Sequence, residues 1–255
     1  AMTPDMLREH MKKFYSPSST VACFCGSFDR EKIISLCKRF FGSPASADEL
    51  PPLSKAEFCT GVHIFDKKTE QNQIAIGFSA PSLESDSRFA CQLIASMLGG
   101  SASSRLFRRL REEQGLVYSV DAGAMSFLSA GVFAVTMGVS RESEKKAVLA
   151  AAEVLREFPD TVTENELDLA RSHYLSGLIM SLESNSVRAS RYGTGELLLG
   201  GAISEKELEE KIRNVGIDEI RTLARSFSSL SDACICAVGK TAGTKFYNKV
   251  VSAGK

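Results

Sequence analysis

The sequence predicts an α+β fold: a mostly antiparallel sheet covered by helices on one face. Strand-like alternation is concentrated early, in residues 61–79 and 116–139, and helical patterns dominate afterwards. The regular strand–helix alternation of a parallel α/β sheet is missing. At 44% apolar and 24% charged over 255 residues, the composition suits a chain that buries a core.

The elements follow in order. Thr3 can cap a helix that runs to Phe14, with Pro4 at its first position and Leu7, Met11 and Phe14 on one stripe. Residues 19–26 (STVACFCG) read as a strand, and 29–41 as a helix. Residues 42–55, rich in Pro, Ser and Ala, are the best linker candidate. Residues 61–66 and 73–79 read as strands, the second alternating through Ile74, Ile76 and Phe78. A helix from 86 to 98 stops at Gly99-Gly100, and another spans 103–113 with Leu106, Phe107 and Leu110 inward. Strands at 116–124 and 131–139 flank a short turn at Ser129-Ala130. A helix from Ser140 is expected to end before Pro159. Thr163/Glu166 and Ser204/Glu207 have capping-box spacing, and the long helix between them carries Leu167, Tyr174, Leu178 and Leu182 as a buried stripe. A helix at 218–227 and a strand at 233–239 close the chain.

Thirty-one basic residues balance 31 acidic ones, so the basic excess that phosphate neutralisation demands of a nucleic-acid binder is missing, and no nucleic-acid partner is expected. No run of 18 apolar residues exists, and no membrane partner is expected. Residues 1–5 lack the basic-then-apolar pattern of a signal peptide. The seven cysteines show no Cys-x-x-Cys spacing. They read as small buried apolar side chains in a reducing, cytoplasmic setting.

An offset of 213 residues places Asp5, Phe14 and Gly26 on Asp218, Phe227 and Gly239, and Cys23 on Cys236. Both segments read helix, strand, glycine. The match divides the chain into residues 1–42 as the closing segment of a preceding homologous domain, 43–59 as a linker, and 60–255 as a complete second copy. The expectation is that sequence upstream is missing. Residues 19–26 would then present an exposed strand edge, so a homodimer through the first 42 residues is expected.

The most specific stretch is LGGSASSRLFRRLREEQGLVYSV, residues 98–120. It reads as a Gly-broken turn, a short amphipathic helix, and a second turn at Gly115 feeding a strand. Arg111 ends the helix and Tyr118 opens the strand, seven residues apart, and a reversal at Gly115 can bring guanidinium and phenol together. Such a pair can donate to a peptide carbonyl or a developing oxyanion. The plainer reading is a solvated helix-end cation and a tyrosine on a half-wet strand face.

This stretch, with FYSPSSTVACFCGSFD and TVTENELDLARSHYLSGL, resembles the C-terminal half of pitrilysin-type zinc peptidases, which include the mitochondrial processing peptidases. The resemblance implies one half of a clamshell of two similar α+β domains. The first domain would bear His-x-x-Glu-His, whose Glu activates a zinc-bound water. The resemblance assigns Arg111 and Tyr118 the roles of positioning a peptide substrate and stabilising the tetrahedral intermediate. Gly99, Gly100 and Ser104 are read as substrate-binding.

The sequence departs from the family at the metal. His10, His63 and His173 form no His-x-x-Glu-His, so no cofactor and no metal ligand are expected in this chain; zinc is expected in the missing N-terminal half. The function implied is the substrate-clamping C-terminal part of a zinc metalloendopeptidase, a hydrolase that is inactive alone and needs the zinc-bearing half or a partner subunit. Two alternatives remain. One is a non-catalytic scaffold subunit of the same family. The other is a phosphate or nucleotide module at residues 99–104, which lacks the Lys-Ser/Thr of a P-loop.

Overall fold

The computed structural model describes residues 2–16, 19–42, 54 and 56–253. Most of the expected linker lies outside the described residues. The chain divides into two compact units, residues 1–54 with 177–207, and residues 55–176 with 208–255.

The larger unit holds a five-stranded sheet in the order β1-β5-β2-β4-β3, from β1 (Gly61–Asp66), β2 (Asn72–Ala80), β3 (Val117–Ser126), β4 (Gly131–Val139) and β5 (Cys234–Gly239). Only β1–β5 is parallel; β2–β4, β2–β5 and β3–β4 are antiparallel, as the early clustering of strands implied. On β2 the side chains of Ile74, Ile76 and Phe78 are buried, and Phe133, Val135 and Met137 continue the same face on β4. Phe78, Phe133 and Phe227 form an aromatic cluster with centroids 4.5–6.2 Å apart. Helices α3 (Ser87–Gly99), α4 (Glu144–Thr161) and α8 (Ile217–Arg225) bury their apolar stripes with it.

Several expectations are corrected here. Helix α4 does not stop before Pro159 but carries it in its last turn. A proline removes one N–H, and Leu155, Phe158 and Pro159 are all buried, so packing outweighs the missing bond. The long helix after Thr163 is two helices, α5 (Glu164–Ser181) and α6 (Asn185–Leu199). Ser184 starts the second by accepting from the Val187 amide at 3.4 Å. A further helix, α9 (Thr244–Ala253), follows β5 and buries Tyr247 and Val250.

In the smaller unit, α1 (Pro4–Phe14) is capped by Thr3, whose Oγ1 accepts from Met6 N at 3.3 Å, and α2 (Arg30–Phe41) by Asp29. Residues 20–25, expected to be a strand, pair with no other strand among the described residues. They run beside α6, where Cys25 Sγ lies 3.6 Å from Asn185 Oδ1. No residue of α1, α2 or α6 is buried. α7 (Glu205–Asn214) is opened by Ser204, which accepts from Glu207 N at 3.1 Å.

Candidate functional site

Two irregularities shape the segment that carries Arg111 and Tyr118. Residues 107–113 form a π-helix, a rare wide turn often found at functional sites. It buries Leu110 and leaves Arg111 exposed. Gly115, at φ 58°, reverses the chain, and Leu116 N closes the turn on Leu110 O at 2.8 Å. Strand β3 then opens with a bulge: Val117 pairs with Val139 and Ser119 with Gly138, so Tyr118 is the extra residue. The bulge resets the alternation, putting Val117 and Val120 inward and Tyr118 and Ser119 outward.

The expected convergence occurs. The Arg111 guanidinium carbon lies 6.0 Å from the Tyr118 ring centroid and 5.0 Å above the Phe107 ring. Tyr118 is 70% exposed. The surrounding charges are arranged unequally. Arg108 and Arg109 lie 4.0 and 3.7 Å from Glu113, and Arg105 binds Glu166 through Nε at 2.7 Å. Among the described residues, Arg111 has neither ion pair nor hydrogen bond, so its five N–H donors are free. Phe107, expected to point inward, is half-buried and its ring meets Arg111; their four-residue spacing was the signal in the sequence for this contact.

The glycines have a packing explanation. A Cβ on Gly99 would overlap the backbone of Asp121 and Ala122, and one on Gly100 would stand 2.9 Å from Ser96 Cα. Gly99 lets the end of α3 approach β3 closely, and Gly100 lets the chain close against the last turn of α3 at Ser96. Ser104 is buried, its Oγ has no hydrogen-bond partner among the described residues, and it borders a cleft of about 150 Å³ with Ser96, Ser101, Glu166 and His173. The structure therefore groups Gly99, Gly100 and Ser104 around the end of α3, and Arg111 and Tyr118 at the π-helix–β3 junction.

Arg105 ties this segment to its support. It clamps Glu166 with Nε and Nη2 at 2.7 and 2.8 Å and donates to the Thr161 carbonyl at 2.8 Å. Glu166 also closes the expected capping box, accepting from Thr163 N at 3.0 Å while its own amide donates to Thr163 Oγ1 at 3.3 Å. Partial burial works to raise the Glu166 carboxyl, but the Arg105 hydrogen bond, the Thr163 amide and the Arg105 charge outweigh it and hold it below its ordinary value.

The cysteines correct another expectation. Only Cys91 is buried; Cys23 and Cys59 are exposed, and all seven are free thiols. Cys234 and Cys236 do share one face of β5, alternating with buried Ile235 and Ala237. The three histidines stand on separate elements, His10 in α1, His63 in β1 and His173 in α5. Among the described residues no group of three or more His, Cys, Asp or Glu could hold a metal ion, so the residues present do not fit a zinc site.

The family model of the peptidase M16 inactive domain matches residues 1–174. The chain belongs to this family. The chain is 30% identical over 222 residues to the uncharacterized zinc protease YmxG of Bacillus subtilis, covering 87% of this chain and 54% of that protein. The chain thus spans about half the length of that relative. Its fold is similar to a protease from Helicobacter pylori (TM-score 0.78, 18% identity, 93% of this chain and 59% of that one). It is also similar to a peptidase M16 inactive domain from Pseudomonas fluorescens (TM-score 0.76, 17% identity, 95% and 58%). No helix among the described residues is long and apolar enough to cross a membrane.

Proposed function

We propose that this chain is the substrate-clamping C-terminal part of a zinc-dependent metalloendopeptidase. The metal and the water-activating carboxylate belong, in this reading, to an N-terminal half or partner subunit, and the chain is inactive alone. The observation that carries it is the unpaired Arg111 guanidinium beside the exposed Tyr118 ring, 6.0 Å away, in a segment (residues 105–113) whose other arginines are matched by carboxylates. An unneutralised guanidinium of this kind grips a substrate carbonyl, and the phenol donates to the oxyanion as the carbonyl carbon becomes tetrahedral. A scaffold subunit has no evident use for the pair.

The division into a closing segment (1–42), a linker (43–59) and a complete copy (60–255) is supported by the internal match. Its aligned glycines, Gly26 and Gly239, have φ of 135° and 133°. Exposed Met6, Leu7, Met11 and Phe14 on α1, and Phe40 and Phe41 on α2, support a partner for the first 42 residues, either the preceding domain or a second copy. Seven free thiols support a reducing, cytoplasmic setting.

The deciding experiment joins the chain to its upstream zinc-bearing half and replaces Tyr118 by Phe. Loss of one oxyanion donor is expected to lower kcat on the order of 10²-fold. Unchanged turnover of a peptide substrate would refute the assignment.

A further inference from the structure

We infer that Phe107 is a positioning residue for Arg111: its ring sets the plane of the guanidinium that meets the substrate. The inference rests on the peptide-clamping function proposed above. An arginine side chain samples many rotamers, and one waiting for a carbonyl loses affinity unless something holds it. A carboxylate partner would hold it but would occupy its donors, as Glu166 occupies those of Arg105. An aromatic ring holds it by the face instead, leaving the five N–H groups around the edge free to point at an incoming acceptor.

The local structure delivers this arrangement. Phe107 opens the π-helix and Arg111 follows four residues later, with its guanidinium carbon 5.0 Å over the Phe107 ring. The Phe107 side chain is half-buried, so this wall is anchored, whereas Tyr118 is exposed. The bulge in β3 brings the Tyr118 ring within 6.0 Å of the same carbon. Arg111 is therefore placed by two rings from two separate elements and by no carboxylate among the described residues. Phe107 would touch neither substrate nor reacting atoms, so its contribution runs through Arg111.

The test is a double-mutant cycle in the chain joined to its zinc-bearing half. Phe107→Leu is expected to lower kcat/KM about fivefold, and Phe107→Tyr, which keeps a ring, to restore it. In an Arg111→Ala background, Phe107→Leu is expected to have no further effect. An equal loss in both backgrounds would show that Phe107 only supports the fold, and would overturn the inference. A second readout needs no activity: in the present chain the Arg111 Hε proton resonance is expected to be shifted by ring currents, and Phe107→Leu to return it toward the free-arginine position while Arg105 stays put. A free-arginine resonance in the unsubstituted chain overturns the inference even if Tyr118→Phe abolishes turnover. If the shifted resonance is present but Arg111→Ala leaves turnover intact, the peptide-clamping function has failed, and the positioning role falls with it.

Discussion

Tyr247 donates its hydroxyl to Glu144 Oε1 at 2.5 Å, with both residues fully buried. The same carboxylate accepts from Asn72 Nδ2 at 2.8 Å and from the Ala242 amide at 2.9 Å. Three donors and the N-terminal turn of α4 stabilise this buried charge in place of a cation. The contact links α4, the start of β2, the segment after β5, and α9.

Burial, then the bond to Glu144 and its negative charge, raise the Tyr247 hydroxyl well above its ordinary value of 10.0. A group whose pKa is raised by folding contributes stability that is present below its unfolded value and lost as pH climbs above it. Chemical denaturation of the native chain should therefore show stability declining above pH 10. Tyr247→Phe should cost about 1–3 kcal/mol at neutral pH and remove part of that alkaline decline. An unaltered denaturation midpoint would mean that the network contributes nothing.

The Arg105–Glu166 clamp has the opposite sign. The Glu166 carboxyl lies below its ordinary value of 4.5, so its contribution is complete above that pH and is lost as pH falls through the lowered value. Glu166→Gln is expected to destabilise the protein by about 1 kcal/mol at pH 7 and by progressively less at acid pH. Thermal melts from pH 7 to pH 3 measure this convergence; parallel curves would contradict it.

Gly99→Ala places a methyl group into the backbone of β3 at Asp121 and Ala122. The end of α3 must move, at a cost of about 3 kcal/mol. At about 2–4 °C per kcal/mol for a unit of this size, the melting temperature should fall by roughly 6–12 °C. A neutral substitution would show that the close approach of α3 to β3 does not require glycine at this position.

Thiol reactivity separates the cysteines. Burial alone pushes the Cys91 thiol up to about 12, whereas Cys23 and Cys59 are exposed. Titration with a thiol-specific reagent at pH 8 should label Cys23 and Cys59 rapidly and Cys91 only after denaturation. Early labelling of Cys91 would show that α3 opens far more readily than its burial allows.

The residues made some of this legible in advance. Local chemistry is self-contained: Thr3 satisfies the Met6 amide, Thr163 and Glu166 satisfy each other, and Gly115 takes the positive φ that its turn requires. Alternation through Ile74, Ile76 and Phe78 likewise specifies which face of β2 is buried, because strand side chains repeat every two residues. These signals lie within a few positions of the groups they organise. The meeting of Arg111 with Tyr118 belongs here too, since seven residues and one reversal suffice to produce it.

Other features depended on partners distant in sequence. The apolar run of residues 20–25 suits an extended chain, but a strand exists only where another strand receives its hydrogen bonds, and among the described residues none does. Pro159 stays helical because Leu155 and Phe158 are buried beside it. The sequence could supply four arginines between residues 105 and 111, with Glu113 within five residues of Arg108 and Arg109 and Phe107 four residues before Arg111; tertiary structure decided that distant Glu166 would match Arg105. Short-range sterics, capping and the Arg109–Glu113 pair act within one or two turns of chain, whereas the match of Arg105 to Glu166 is settled by which surfaces the packed core brings together.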